Sequence, residues 1–180
     1  MTTDLRVLRQ GDWARWYDSL MLAFGGVAEA PQERQLWDDL TDCERSLGVW
    51  DGDDCVGTAG AFSFRVSVPG GAFVRAAGIT MVSVAATHRR RGILTSMMRR
   101  QLDDVREWGE PLAVLTASEP AIYGRFGYGI ATRQAALTID SSRVRIDAPA
   151  AARDVRLRFV DPAAAAERCE AVHLRMAGTR

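Results

Sequence analysis

From Ser46 to Ala85 the chain reads SLGVW, DGDD, CVGTAGAFSFRVSV, PGG, AFVRAAGITMVSVA, three apolar-rich runs separated by two turn sequences. Asp51-Gly52-Asp53-Asp54 and Pro69-Gly70-Gly71 supply the residues that tight hairpins require. Strands joined by so few residues lie antiparallel and side by side, because a parallel pair needs a crossover of a dozen or more residues. A three-stranded meander is therefore expected over 46–85. The acidic residues at 51–54 read as solvated turn residues that cap backbone groups, not as metal ligands.

The flanks of this meander read differently. Leu5 to Arg9 alternates and predicts a short strand; Asp12 then caps a helix with Trp13, Trp16, Tyr17, Leu20 and Phe24 on one apolar face. Pro31 suits the first turn of a second helix, which is expected to bury Leu36, Trp37 and Leu40. After the meander, Leu94, Met98, Leu102, Val105 and Trp108 recur at helical spacing from Ile93 onward, and Gly109 and Pro111 end that helix. A short buried strand at 111–116, a turn with a brief helix in SEPAIYGRFGYG and an alternating strand from Ile130 to Ile139 complete the reading. Such an order predicts a mixed α/β (α+β) layer fold, not a doubly wound nucleotide fold.

Composition narrows the function classes. The 180 residues carry 23 basic and 23 acidic side chains, so the chain lacks the basic excess of a general nucleic-acid binder. Its apolar runs fall far short of the roughly 18 residues of a membrane span, and the N-terminus does not read as a signal peptide. Cys43, Cys55 and Cys169 have no metal-type or redox spacing; they are expected to be free, buried thiols in a reducing, cytoplasmic setting.

The segment DVRLRFVDPAAAAERCEAVHLRMA echoes DLRVLRQGDWARWYDSLMLA at an offset of about 150 residues: alternating strand, Asp cap, helix. The expected organisation is one domain over 1–140, an Ala/Arg/Pro-rich linker over 141–153, and the first strand and helix of a second unit over 154–180. One strand and one helix cannot cover their own apolar faces, so a longer natural chain or a partner is expected to cover them.

The turn THRRRG carries the chemistry. A strand ending near Val84 and a helix beginning near Gly92 leave backbone N–H groups and a helix dipole pointing outward, a natural anion site. Arginines beside it add bidentate donors for phosphate oxygens. A solvated helix start with a glycine hinge explains the bare R-x-x-G spacing equally well. A nucleic-acid patch is disfavoured by zero net charge and the lack of interleaved aromatics.

VSVAATHRRRGILTSMM followed by AVLTASEPAIYGRFGYGIAT resembles the acyl-CoA site of the GNAT superfamily of N-acetyltransferases. The second segment is similar to the enhanced intracellular survival (Eis) family of aminoglycoside and lysine acetyltransferases. The resemblance covers roughly residues 1 to 140. It implies a central, mostly antiparallel sheet with helices on both faces, and acetyl-CoA as co-substrate without a metal. By the same resemblance the backbone of Val82 and Val84 pairs with the pantetheine arm, Arg89, Arg90, Gly92 and Ile93 form the pyrophosphate loop, and Ser118 adds a cofactor contact. Tyr123 matches the general acid that returns a proton to the departing thiolate; Trp37, Thr80 and Met81 match substrate-side positions. His88 fits the pattern as a polar turn residue.

In that family the general base is a carboxylate at the far C-terminus of a longer chain that assembles into homo-oligomers. The resemblance thus implies transfer of an acetyl group to a primary amine of the aminoglycoside, lysine or polyamine class, with Glu119 as a possible alternative base. The rival expectation is a domain that holds CoA or a partner without turnover. No nucleic acid and no membrane enter either reading.

Overall fold

The computed structural model describes residues 3–145 and 147–177. Met1 and Thr2 of the N-terminal stretch, Ile146 of the expected linker and residues 178–180 of the expected second unit lie outside them.

Five strands form one sheet in the order of the chain: β1 (Asp4–Val7), β2 (Leu47–Asp51), β3 (Asp54–Val68), β4 (Ala72–Val84) and β5 (Leu112–Val114). The first three pairings are antiparallel and the last is parallel. The expected meander is β2, β3 and β4. Gly52 at φ +62° turns the first hairpin, and Gly70 and Gly71, at φ +95° and +79°, turn the second, a region most L-residues avoid.

Strand parity sends alternate side chains to opposite faces. Leu47 and Val49 pack with Val56, Ile93 and Met97 beneath helix α3 (Ile93–Glu107). Trp50 points the other way, into a cluster with Leu8, Trp13, Trp16, Tyr17 and Leu20 of helix α1 (Trp13–Ala23) and the segment before it. Helices thus cover both faces. Trp16 is fully buried, and its indole N–H donates to the carbonyl of Leu47 at 2.8 Å, so its one polar atom is satisfied. Burial of a side chain of this size contributes roughly 3 kcal/mol.

Several expectations change. Asp12 makes no side-chain cap bond; Arg6 and Arg15 bind its carboxylate instead, and the Arg6 hydrogen bond holds that carboxyl below the usual range. Charge pairing outcompeted capping because both guanidiniums reach the same carboxylate. Phe24 falls just beyond α1 and is 63% exposed, since the helix stops one residue short of it. In α2 (Pro31–Leu40) only Trp37 of the apolar stripe packs inward; Leu36 and Leu40 are exposed because α2 lies at the rim of the α1 cluster. The buried stripe of α3 is Ile93, Met97, Met98, Gln101 and Val105, rotated from the expected one, with Leu94, Leu102 and Trp108 at its margins.

The expected buried strand at 111–116 shortens to β5, with Leu112 partly exposed at the sheet edge. Ile130–Ile139 is not a strand, and neither is 155–160; Ile130, Leu137, Leu157 and Phe159 are all exposed. Alternation specifies a face but not a partner, and neither segment has a ladder to join among the described residues. The helix of the second echo does form, α4 (Pro162–Ala177), and Asp161 caps it by accepting from the N–H groups of Ala163 and Ala164. All three cysteines are free, but none is fully buried as expected: Cys43 and Cys55 are half-buried at the rim of the α1 cluster and Cys169 on α4 is exposed. No described helix is long and apolar enough to cross a membrane.

Candidate active site

β4 and β5 are hydrogen-bonded only where Ala76, Ala77 and Gly78 face Leu112, Ala113 and Val114. Beyond Gly78 they part. Residues 79–84 on one side and Val114, Leu115, Thr116 and Ser118 on the other then line a cleft of about 1050 Å³, of the size that ligand sites occupy. The β5-facing edge of β4 is thereby released from the sheet along this wall.

A bulge sits in that wall. Thr58 pairs with Ser83 and Gly60 with Thr80, so Met81 and Val82 together oppose Ala59 alone. Met81 adopts φ +54°, rare for a side chain of this kind and worth roughly 1–2 kcal/mol of strain. Fully buried Thr58 pins it: its hydroxyl donates to the carbonyl of Met81 at 2.7 Å and lies 2.7 Å from the Ser83 hydroxyl. With its single proton given to Met81, Thr58 accepts from Ser83.

β4 leads through a single 3-10 turn, Ala86–His88, into the arginine loop. His88 is tied down on both ring nitrogens, Nε2 lying 3.1 Å from Asp51 Oδ2 and Nδ1 2.8 Å from Thr87 Oγ1. Arg90 takes φ +60° and Gly92 φ +82°, and the chain then enters α3. The first backbone bond of the helix runs from the Ser96 N–H to the Gly92 carbonyl, leaving the N–H groups of Ile93, Leu94 and Thr95 without helical acceptors. Arg89 and Arg90 line the cleft beside them, and among the described residues neither guanidinium has an ion-pair partner. Unpaired cations, orphan donors and a helix dipole converge on one point, the requirement for a pyrophosphate.

On the opposite wall two 3-10 turns, Pro120–Ile122 and Gly124–Phe126, flank Tyr123. Its ring meets that of Tyr128 edge-on, centroids 5.9 Å apart and planes at 73°. Burial pushes the Tyr123 hydroxyl above its ordinary pKa, and burial followed by the neighbouring Tyr123 pushes Tyr128 up to about 12. At neutral pH both phenols are protonated, so Tyr123 is a proton donor in waiting.

A family model for the acetyltransferase (GNAT) domain matches residues 4–131, which span the sheet, the arginine loop and Tyr123. The chain belongs to the GNAT acetyltransferase family. It is 72% identical over 176 residues to an uncharacterized N-acetyltransferase of Streptomyces avermitilis, covering 98% of this chain and 43% of that one. It is 36% identical over 157 residues to the N-acetyltransferase Eis of Mycobacterium tuberculosis, covering 83% of this chain and 38% of Eis. Among solved structures, Eis1 of Mycobacterium abscessus superposes with a TM-score of 0.64 at 38% identity, over 73% of this chain and 32% of that one. The chain spans less than half the length of these relatives.

Of the positions expected to serve a GNAT site, Thr80, Met81, Val82, Val84, Arg89, Arg90, Gly92, Ile93, Ser118 and Tyr123 all line this one cleft. Trp37 does not; it packs in the apolar cluster of α1, where Met81 also reaches. Glu119 stands on the cleft wall and is exposed. Glu29, the acid nearest the end of α1, is occupied: it accepts from the Tyr17 hydroxyl at 2.8 Å and lies 3.6 Å from Arg34. Sequence reasoning missed Thr58 and Ser83, which hold the GNAT bulge, because a threonine inside a strand looks like any other β-former. It also missed Phe62 and Phe64, which looked like ordinary strand residues yet line the cleft.

Proposed function

We propose that this GNAT domain transfers an acetyl group from acetyl-CoA to a primary amine by direct attack, without a covalent acyl-enzyme. The observation that carries the proposal is the meeting, in one cleft, of a freed β4 edge with an α3 N-terminus and two unpaired arginines. The N-acetyltransferase relatives support an amine as the acceptor, and the resemblance to the Eis family points to aminoglycosides, lysine side chains and polyamines as sources of such amines.

Acetyl-CoA, when bound, supplies an activated thioester. The roles of the chain follow from its own chemistry. Arg89, Arg90 and the N–H groups that open α3 hold the pyrophosphate, with Gly92 giving the backbone its turn. The backbone of Val82 and Val84 binds the pantetheine arm as an added strand would. Ser118 lies on the opposite wall to make a further contact. Tyr123 holds a proton at its hydroxyl for the departing sulfur; a phenol near 10 or above is a weak acid against a thiol near 8.5, so its value lies in placement. Before attack, the amine must lose its own proton, and Glu119 is the carboxylate among the residues lining the cleft that could take it.

Two measurements test the reading. Acetyl-CoA at 100 times its dissociation constant should stabilise the fold by about 2.7 kcal/mol; no thermal shift overturns the cofactor assignment. Thiol release should then follow addition of an amine. A shift without thiol release would leave a CoA-binding domain without turnover.

A further inference from the structure

Where β4 and β5 are still joined, a buried charge cluster sits outside the cleft. Helix α3 ends in a doubly bonded turn: the Gly109 N–H donates to the Arg106 carbonyl at 3.0 Å and the Glu110 N–H to the Val105 carbonyl at 3.2 Å, with Gly109 at φ +67°. Two residues on, Leu112 makes the first β4–β5 pair, with Ala76. Glu110 is therefore the joint between α3 and the strand that leads to Ser118 and Tyr123. Its side chain is 1% exposed, and it is not among the residues that line the cleft.

Two guanidiniums answer this carboxylate. Arg45, itself largely buried, donates through Nη2 to Glu110 Oε2 at 2.7 Å, and Arg75 Nη2 lies 3.7 Å from Oε1. Arg45 stands just before β2: the β2–β3 ladder ends at Leu47 and Ala59, and beyond it the Arg45 Nε donates to the Ala61 carbonyl at 3.3 Å. The same guanidinium lies 3.9 Å from the ring centre of Trp108, the residue that closes α3. Arg75 precedes Ala76 in β4 and faces Arg65 across the hairpin, a like-charge pair that a neighbouring carboxylate relieves. One carboxylate thus ties β3, β4 and the end of α3 to the start of β5.

A buried ion pair adds little net stability, because desolvation of both charges offsets their attraction, but removing one partner strands the other. Its directional bonds fix where the groups sit. The two walls of the cleft depend on that place unequally. Val82, Val84 and the arginine loop belong to β4 and the start of α3, both packed into the buried clusters. The opposite wall follows from β5, which meets β4 through only three register pairs.

We propose, resting on the acetyl transfer argued above, that Glu110 is a positioning residue for that reaction: clamped between Arg45 and Arg75, it sets the point where β4 and β5 part and so the placement of Tyr123 across the cleft.

The experiment compares the parent with Glu110→Gln and with Arg45→Met/Glu110→Met, which replaces the buried pair by apolar side chains. Thiol release is measured with kanamycin, spermidine and an unacetylated lysine peptide, and acetyl-CoA affinity by calorimetry. Glu110→Gln is expected to lower kcat at least tenfold while the acetyl-CoA dissociation constant changes less than threefold. A kcat within threefold of the parent, or equal losses in kcat and affinity, overturns the proposal. The double variant is expected to regain the thermal midpoint of the parent but not its kcat; recovery of both reduces Glu110 to a stabilising role and overturns it as well. If Glu110→Gln loses the acetyl-CoA-dependent thermal shift, the double variant alone takes these readouts. Hydrogen exchange followed by mass spectrometry needs no amine: in the variant, exchange should quicken over 115–123 and stay as in the parent over 89–98. Equal change in both segments, or none in either, overturns the clamp. No thiol release by the parent with any of the three amines overturns the transfer reading instead, and the exchange map then decides the clamp.

Discussion

The hydroxyl of Thr58 donates to the carbonyl oxygen of Met81 at 2.7 Å, reaching from β3 to the extra residue of the β4 bulge. The bulge aims the chain that leads into the arginine loop, so this one side chain links the interior of the sheet to the arginine end of the cleft. Thr58→Val keeps the shape and removes the hydroxyl, leaving the Ser83 hydroxyl and the Met81 carbonyl without their buried partner. The expected cost is about 1–3 kcal/mol in urea unfolding, with a rise in KM for acetyl-CoA as the bulge relaxes. A variant as stable as the parent would show that the bulge holds itself.

His88 couples the arginine loop to the hairpin between β2 and β3 through Asp51. Asp51→Ala frees the imidazole and, with it, the segment that positions Arg89 and Arg90. We expect the dissociation constant for acetyl-CoA, measured by calorimetry, to rise roughly threefold to tenfold, the equivalent of about 0.7–1.4 kcal/mol. The thermal midpoint without ligand should move little, because Asp51 ends β2 and His88 sits in the turn after β4, both outside the buried apolar clusters.

Tyr123→Phe keeps the edge-on contact with Tyr128 and removes only the proton donor. Loss of a positioned general acid lowers kcat by about a hundredfold or more, with acetyl-CoA binding retained. A fall of less than about tenfold would transfer the role of acid to another group or to water.

Burial pushes the Cys55 thiol up to about 11, and the thiol donates to the Gly57 carbonyl at 3.4 Å. Because the folded value is the higher one, Cys55 contributes its share of stability below the unfolded thiol value of about 8.5. That share disappears as pH rises through 11. At pH 8, iodoacetamide should therefore alkylate exposed Cys169 well before Cys55, the order being read by peptide mass spectrometry. Equal rates would mean that the α1 face opens readily.

Turn chemistry and periodicity determined much of this protein without any coordinates. Asp51-Gly52 and Pro69-Gly70-Gly71 imposed the meander, and the strand-to-helix passage through Arg89, Arg90 and Gly92 already contained an anion site, because both depend on neighbours within a few residues. Local pattern failed where a partner decides. Ile130–Ile139 alternates but has no ladder to join, Asp12 surrendered its capping role to two arginines, and Phe24 left the core when α1 ended at Ala23. Only the tertiary structure parted β4 from β5 and set Phe62 and Phe64 beside Gly78 at the mouth of that opening. Separation and register are relations between strands distant in sequence, and no single stretch of the chain encodes them.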